Sequence, residues 1–159
     1  MSGETGIRDL LTGLYTRDYF DEVIGRELER SRRYELALSV LSIVISNQAT
    51  ILEKSGEDAA NAAVVESART LLANVRNSDL VFRWEDDEFV ALLVEADLQA
   101  CSKKVQQLGA VFRPWREGRG PVHGVPVKIR VGASTHEKDI VFPAVLQAAR
   151  AAARNQTQV

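Results

Sequence analysis

The sequence predicts an α+β sandwich, with helices packed on a mainly antiparallel sheet. Three observations predict it. Segments with apolar residues at helical spacing are interspersed with short, nearly continuous apolar runs. Two of those runs, Leu80-Val81-Phe82 and Phe89 to Val94, flank the four consecutive acids Glu85-Asp86-Asp87-Glu88, as hairpin arms flank a turn. The 159 residues, 45% hydrophobic and 26% charged, suit one domain spanning 1–159 with a proper core.

Residues 1–8 read as a flexible lead-in, and 7–15 as a turn-rich opening segment with Thr12-Gly13 as its breaker. Residues 17–34 are expected to be helical, because Tyr19, Phe20, Val23, Ile24 and Leu28 share a face and charges fill the other. Leu36 to Ile45 is a nearly unbroken apolar run, read as a strand buried on both faces. A short helix from Gln48 to Lys54 ends at Ser55-Gly56. Residues 58–75 are Ala-rich and helical, with Val64, Val65, Ala68, Leu71 and Leu72 inward. The hairpin over 79–95 follows, and Asp97 caps a helix to about Phe112. Residues 113–124 form a Pro/Gly loop, Val125 to Ser134 a strand, and Pro143 opens a final helix.

Charge and composition narrow the function. The net charge of −2 implies no general affinity for polyanions, so no nucleic acid polymer is expected as partner. Cys101 is the one cysteine, which rules out an internal disulfide and fits a reducing compartment. No apolar run approaches the ~18 residues of a membrane span, and the N-terminus lacks a basic and apolar signal sequence. A cytoplasmic domain, or a piece of a longer chain, is expected. Neither His123 nor His136 has a second His or Cys at metal-ligand spacing. Cys101 and Trp84 read as packed residues. Arg113, Arg116 and Arg119 with Trp115 make a basic loop, read as solvated.

An acidic turn between two strands is a natural place to hold a divalent cation and a nucleotide phosphate. It is also a plain solvated hairpin tip, with Asp86-Asp87 making the turn in left-handed geometry. Both readings stand on the residues alone.

Three segments carry a family resemblance. Asp9-Leu10-Leu11-Thr12-Gly13-Leu14-Tyr15-Thr16-Arg17 is similar to a D-x-L-T-G-L-x-N-R signature. Arg83-Trp84-Glu85-Asp86-Asp87-Glu88-Phe89 is similar to R-Y-G-G-D-E-F, with acids for both glycines. Val127 to Ser134 is similar to a late v-t-v-S-i-G-i-A strand. Together they resemble the GGDEF (diguanylate cyclase) family. That resemblance implies a central, mainly antiparallel five-stranded sheet flanked by helices. It also implies an ancestral activity joining two GTP molecules into cyclic di-GMP across a homodimer, with two magnesium ions.

Position by position, the resemblance implies losses. The family's D-x-D-x-F-K-x-x-N falls on Val44 to Leu52, so Val44 stands for the metal-binding aspartate, Ala49 for the phosphate-facing lysine and Leu52 for the guanine-reading asparagine. Asn61 stands for a guanine-binding aspartate. Ala148 to Asn155 reads as a shorter version of A-L-Y-x-A-K-x-x-G-R-N without its lysine. Valine gives magnesium no oxygen. Glu85 and Asp86 add two charges facing a triphosphate, each opposing it by a few kcal/mol at ~4–6 Å and an effective dielectric near 20. The expectation is a catalytically inactive domain with no catalytic residues, no metal ligands and no cofactor, magnesium entering only if cyclase activity survives.

What survives is Arg76-Asn77-Ser78-Asp79, at the offset from the hairpin where the family carries its inhibitory R-x-x-D site. The resemblance implies that Arg76 and Asp79 bind cyclic di-GMP, completed by Lys103 or Lys104. An arginine fork suits the O6/N7 edge of guanine, and a carboxylate accepts from N1–H and N2–H. A surface ion pair is the competing account. The expected function is a cyclic di-GMP receptor or regulatory module, working on a protein partner, on another domain of a longer chain or as a homodimer. A divergent cyclase and a ligand-free interaction domain are the alternatives.

Overall fold

The computed structural model describes residues 6–137 and 140–155. Its elements are β1 (Tyr15–Thr16), α1 (Arg17–Tyr34), β2 (Leu38–Ile45), α2 (Gln48–Ser55), α3 (Glu57–Ala73), β3 (Leu80–Glu85), β4 (Glu88–Val94), α4 (Leu98–Phe112), a 3₁₀ helix (Arg113–Glu117), β5 (Ile129–Thr135) and α5 (Phe142–Asn155). They form a five-stranded sheet in the order β1-β3-β4-β2-β5, antiparallel except for the β1–β3 pair. This is the predicted α+β sandwich.

Two cores result from the alternation of side chains along the central strands. Leu41, Ile43 and Ile45 of β2, with Phe89, Ala91 and Leu93 of β4, pack against Ile51 of α2, the Ala/Val/Leu face of α3, and Leu108 and Phe112 of α4. Leu38 and Val40, with Val90, Leu92 and Val94, point the other way, onto Phe20 and Val23 of α1 and Phe142, Val145 and Ala149 of α5. All eight residues of β2 are buried, as a strand covered on both faces requires.

The start of α1 explains one letter of its signature. Thr16 is the N-cap, and its hydroxyl accepts from the Tyr19 N–H at 3.2 Å, a job asparagine also does. Asp97 caps α4 in the same way, accepting from the Ala100 N–H at 2.9 Å. Asp97→Ala is expected to cost about 1 kcal/mol in urea unfolding; a loss below a few tenths would mean that solvent replaces the cap.

Several expectations need correction. Leu72 is 52% exposed rather than inward, because the buried stripe of α3 runs through Ala60, Ala63, Val64, Ser67, Ala68 and Leu71. The last strand starts at Ile129, not Val125. Before it, the Val127 N–H is committed to the Trp115 carbonyl, while the Asn47 side chain grips Pro126 O and Lys128 N, drawing this stretch out of the sheet. Asp86 and Asp87 do not adopt left-handed backbone; among described residues other than glycine, Glu35 and Glu95 do. The lead-in is held over residues 6–8: Thr16 bonds to Gly6 O and Ile7 O, and Arg8 bridges to Tyr15. Residues 1–5 lie outside the described residues.

Candidate functional site

The two most distinctive sequence segments meet. Asp9 folds the opening turn by accepting from Thr12 N at 3.0 Å and Thr12 Oγ1 at 2.7 Å. The same oxygen of Asp9 accepts from Arg83 at 3.1 Å, across 74 residues of chain. Both side chains are largely buried, so this pair is shielded from the screening that weakens surface ion pairs. Arg83 spends its other donors on Glu85 O and Asp86 O, which fixes the backbone of the acidic turn.

The turn acids are not bare. Glu85 accepts from Arg17 at 2.6 Å. Asp87 accepts both terminal nitrogens of Arg154, at 3.0 and 3.1 Å. Glu88, fully buried, takes a bidentate grip from Arg150, with both bonds at 2.9 Å, plus Arg154 at 3.1 Å and the Ser42 hydroxyl at 2.8 Å. Burial pushes the Glu88 carboxyl up, but the bonds from Arg150 and Ser42 and the charges of Arg150 and Arg154 outweigh it and leave it below the ordinary value. The bonds to the acids hold both guanidiniums above theirs. The expected excess of negative charge facing a ligand is therefore reduced rather than present in full: Arg17, Arg150 and Arg154 pair with Glu85, Glu88 and Asp87, and exposed Asp86 is the turn acid that makes no ion pair with a described residue.

Arg150 and Arg154 are what sequence reasoning missed. With Arg154-Asn155 set on the end of the A-L-Y-x-A-K-x-x-G-R-N pattern, its lysine falls on Arg150. The segment is not shorter and it retains a cation there; the i,i+4 spacing of the two arginines was the available signal.

Their position depends on Gly132. A Cβ built there would lie 2.2 Å from Ala149 O and 2.3 Å from Ala153 N, so β5 and α5 touch backbone to backbone. That approach lays α5 against the sheet and carries its arginines over the hairpin.

The remaining predicted positions spread out. Val44 lies directly across the ladder from Glu88 and is buried. Ala49 is exposed in the first turn of α2, Leu52 is 51% exposed, and Asn61 is half-buried on α3. Phe89 is fully buried beneath α2–α4. Trp84 packs edge-on to Phe20, as expected, with the Arg17 guanidinium 4.5 Å from its ring centroid. Cys101 is buried in the core as expected. No group of three or more His, Cys, Asp or Glu able to hold a metal occurs among the described residues. No helix among them is long and apolar enough to cross a membrane.

Arg76 and Asp79 sit together in the turn between α3 and β3. The Asp79 side chain is 1% exposed. It accepts from Arg76 N at 2.9 Å and from Val94 N at 3.1 Å, so it holds the turn to the end of β4. The Arg76 guanidinium lies 3.4 Å from it, donates to Val94 O, and is 53% exposed. Lys104 reaches the same end of α3, donating to Asn74 O.

Residues 7–158 match the family model described as the diguanylate cyclase GGDEF domain. The probable diguanylate cyclase DgcC of Escherichia coli is 26% identical over 160 residues, covering 96% of this chain and 43% of DgcC. Diguanylate cyclase DosC of Escherichia coli is 33% identical over 88 residues, 55% of this chain and 19% of DosC. The chain thus spans less than half the length of these curated relatives. Among solved structures, diguanylate cyclase SiaD in complex with its activator SiaC, from Pseudomonas aeruginosa, superposes with a TM-score of 0.81 at 28% identity, over 94% of this chain and 57% of SiaD. The GGDEF domain of DgcB from Caulobacter crescentus, in complex with c-di-GMP, superposes with a TM-score of 0.83 at 13% identity over 92% of this chain and 87% of that one, a likeness of fold.

Proposed function

The chain belongs to the diguanylate cyclase GGDEF domain family, and from that premise we propose that it is a member that binds cyclic di-GMP without making it. The observation that carries the absence of synthesis is the arginine clasp. Every carboxylate oxygen of Asp87 and Glu88 already accepts from Arg150, Arg154 or Ser42. Magnesium needs several oxygens in near-octahedral array. Here it would have to displace two guanidiniums, with buried Val44 across the ladder offering no oxygen. The competing reading, a divergent cyclase, draws on the same arginines as phosphate-binding cations. Incubation with GTP and magnesium decides: no cyclic di-GMP above the blank is expected, and steady product formation would overturn the inactive reading.

Binding of cyclic di-GMP rests on Arg76. Its guanidinium is oriented from behind by Asp79 and offers its exposed edge to a guanine O6/N7 pair. Asp79 meets guanine N1–H and N2–H only by turning outward from Arg76 N and Val94 N. That likeness in fold extends to a DgcB structure containing c-di-GMP supports this choice of ligand. Calorimetric titration with cyclic di-GMP is expected to give saturable heat that Arg76→Ala abolishes; silence from the native protein at tens of micromolar removes the ligand. Binding then acts on a protein partner, another domain or a second copy, as the capture of SiaD with its activator illustrates for a relative.

A further inference from the structure

We propose a second anion site, for clustered phosphates on a soluble polyphosphate or nucleotide, in the depression between the 3₁₀ helix and the start of β5. It is separate from the hairpin residues and from Arg76. An open cavity of about 360 Å³ is lined there by Arg113, Arg116, Glu117 and Lys128. The acid among them is already spoken for: Glu117 pairs with Arg119. Arg113 and Lys128 make no ion pair with any described residue, though both are exposed beside the cavity. Three cations therefore converge on one cavity, and two of them are uncompensated. On a chain of net charge −2, this makes a local positive patch.

The loop that presents them is braced. The Trp115 ring packs edge-on against Phe112 with centroids 4.8 Å apart, and the Trp115 carbonyl accepts from both Gly118 N and Val127 N. Gly118 turns the chain at φ +81°, and the Gly124 N–H closes onto Gly118 O. Gly120 lies so close that a Cβ there would stand 2.7 Å from the Trp115 ring. Lys128 is fixed from the other side. Its N–H donates to the Asn47 side chain at 3.0 Å, and its carbonyl accepts from Ser46 N at 2.7 Å. Two segments that are apart in sequence are thus locked with their cations converging. Cations carried on a fixed backbone lose less conformational freedom on binding than cations on a mobile loop, and arginine forks match phosphate oxygens. The cavity is open and no aromatic ring is among its lining residues, so nothing there stacks on a base and the contact is to phosphate.

Titration of the whole chain with inorganic tripolyphosphate at about 50 mM salt is expected to show saturable binding. The double substitution Arg113→Gln/Lys128→Gln should weaken it about tenfold, as loss of two charge-assisted contacts predicts. Arg69→Gln, which removes a charge from α3, should change it less than about twofold. ATP should bind with similar affinity and vesicles of phosphatidylglycerol should not bind more tightly. No saturation by several millimolar tripolyphosphate overturns the site, as does an equal loss in all variants or binding confined to vesicles.

Discussion

Arg150→Met is expected to destabilise the protein by about 3–5 kcal/mol at neutral pH, because it leaves the fully buried Glu88 carboxylate short of its principal partner. The pH dependence separates this from a simple packing defect. In the native chain Glu88 is held below its ordinary value of 4.5. Its stabilising contribution is therefore complete above that value and is lost as pH falls through the depressed one. Without Arg150, burial dominates and raises the carboxyl instead. The variant's deficit should then be largest near pH 7 and shrink on acidification, as Glu88 takes up a proton. The double variant Glu88→Gln/Arg150→Met should recover much of the loss, since no charge remains to be buried. Urea midpoints at several pH values measure all of this. A deficit below about 1 kcal/mol, constant with pH, would show the clasp to be an ordinary surface pair.

Gly132→Ala is expected to cost about 3 kcal/mol or more, an extreme result for adding one methyl group. The new Cβ would meet main-chain atoms of Ala149 and Ala153 at 2.2 and 2.3 Å, where no side-chain rotation gives relief. The helix α5 must move away, taking Arg150 and Arg154 with it. The substitution should therefore also weaken the clasp, and the acid sensitivity due to Glu88 should diminish in the same variant. Thermal unfolding and the pH series test both consequences. An unchanged midpoint would mean that β5 and α5 are not in backbone contact.

Much of this was legible from local pattern. The bounds of α1, α2 and α4, the hairpin and the capping role of Asp97 follow from apolar period and from Asp at an N-cap, which act over a few residues. Leu72 was misread because periodicity defines a stripe but not which edge of it the sheet covers. The start of β5 was misread because the apolar run Val125–Val127 is pulled aside by Asn47 and Trp115, from other parts of the chain. The acidic turn was the clearest signal in the sequence and the most misleading in its charge. Four adjacent carboxylates look repulsive on paper, and three of them, Glu85, Asp87 and Glu88, receive counter-charges from α1 and α5.

Residue order alone therefore indicated the main helices, the central strand, the hairpin and the family, since those depend on interactions between near neighbours and on short motifs; the two-residue strand β1 and the 3₁₀ helix were not read from it. Which cations close over Asp87 and Glu88 was settled only when β5 and α5 met at Gly132. An ion pair across 62 residues, like that of Arg150 with Glu88, depends on the docking of whole elements; the i,i+4 spacing of Arg150 and Arg154 places them on one helix face but does not name their partners.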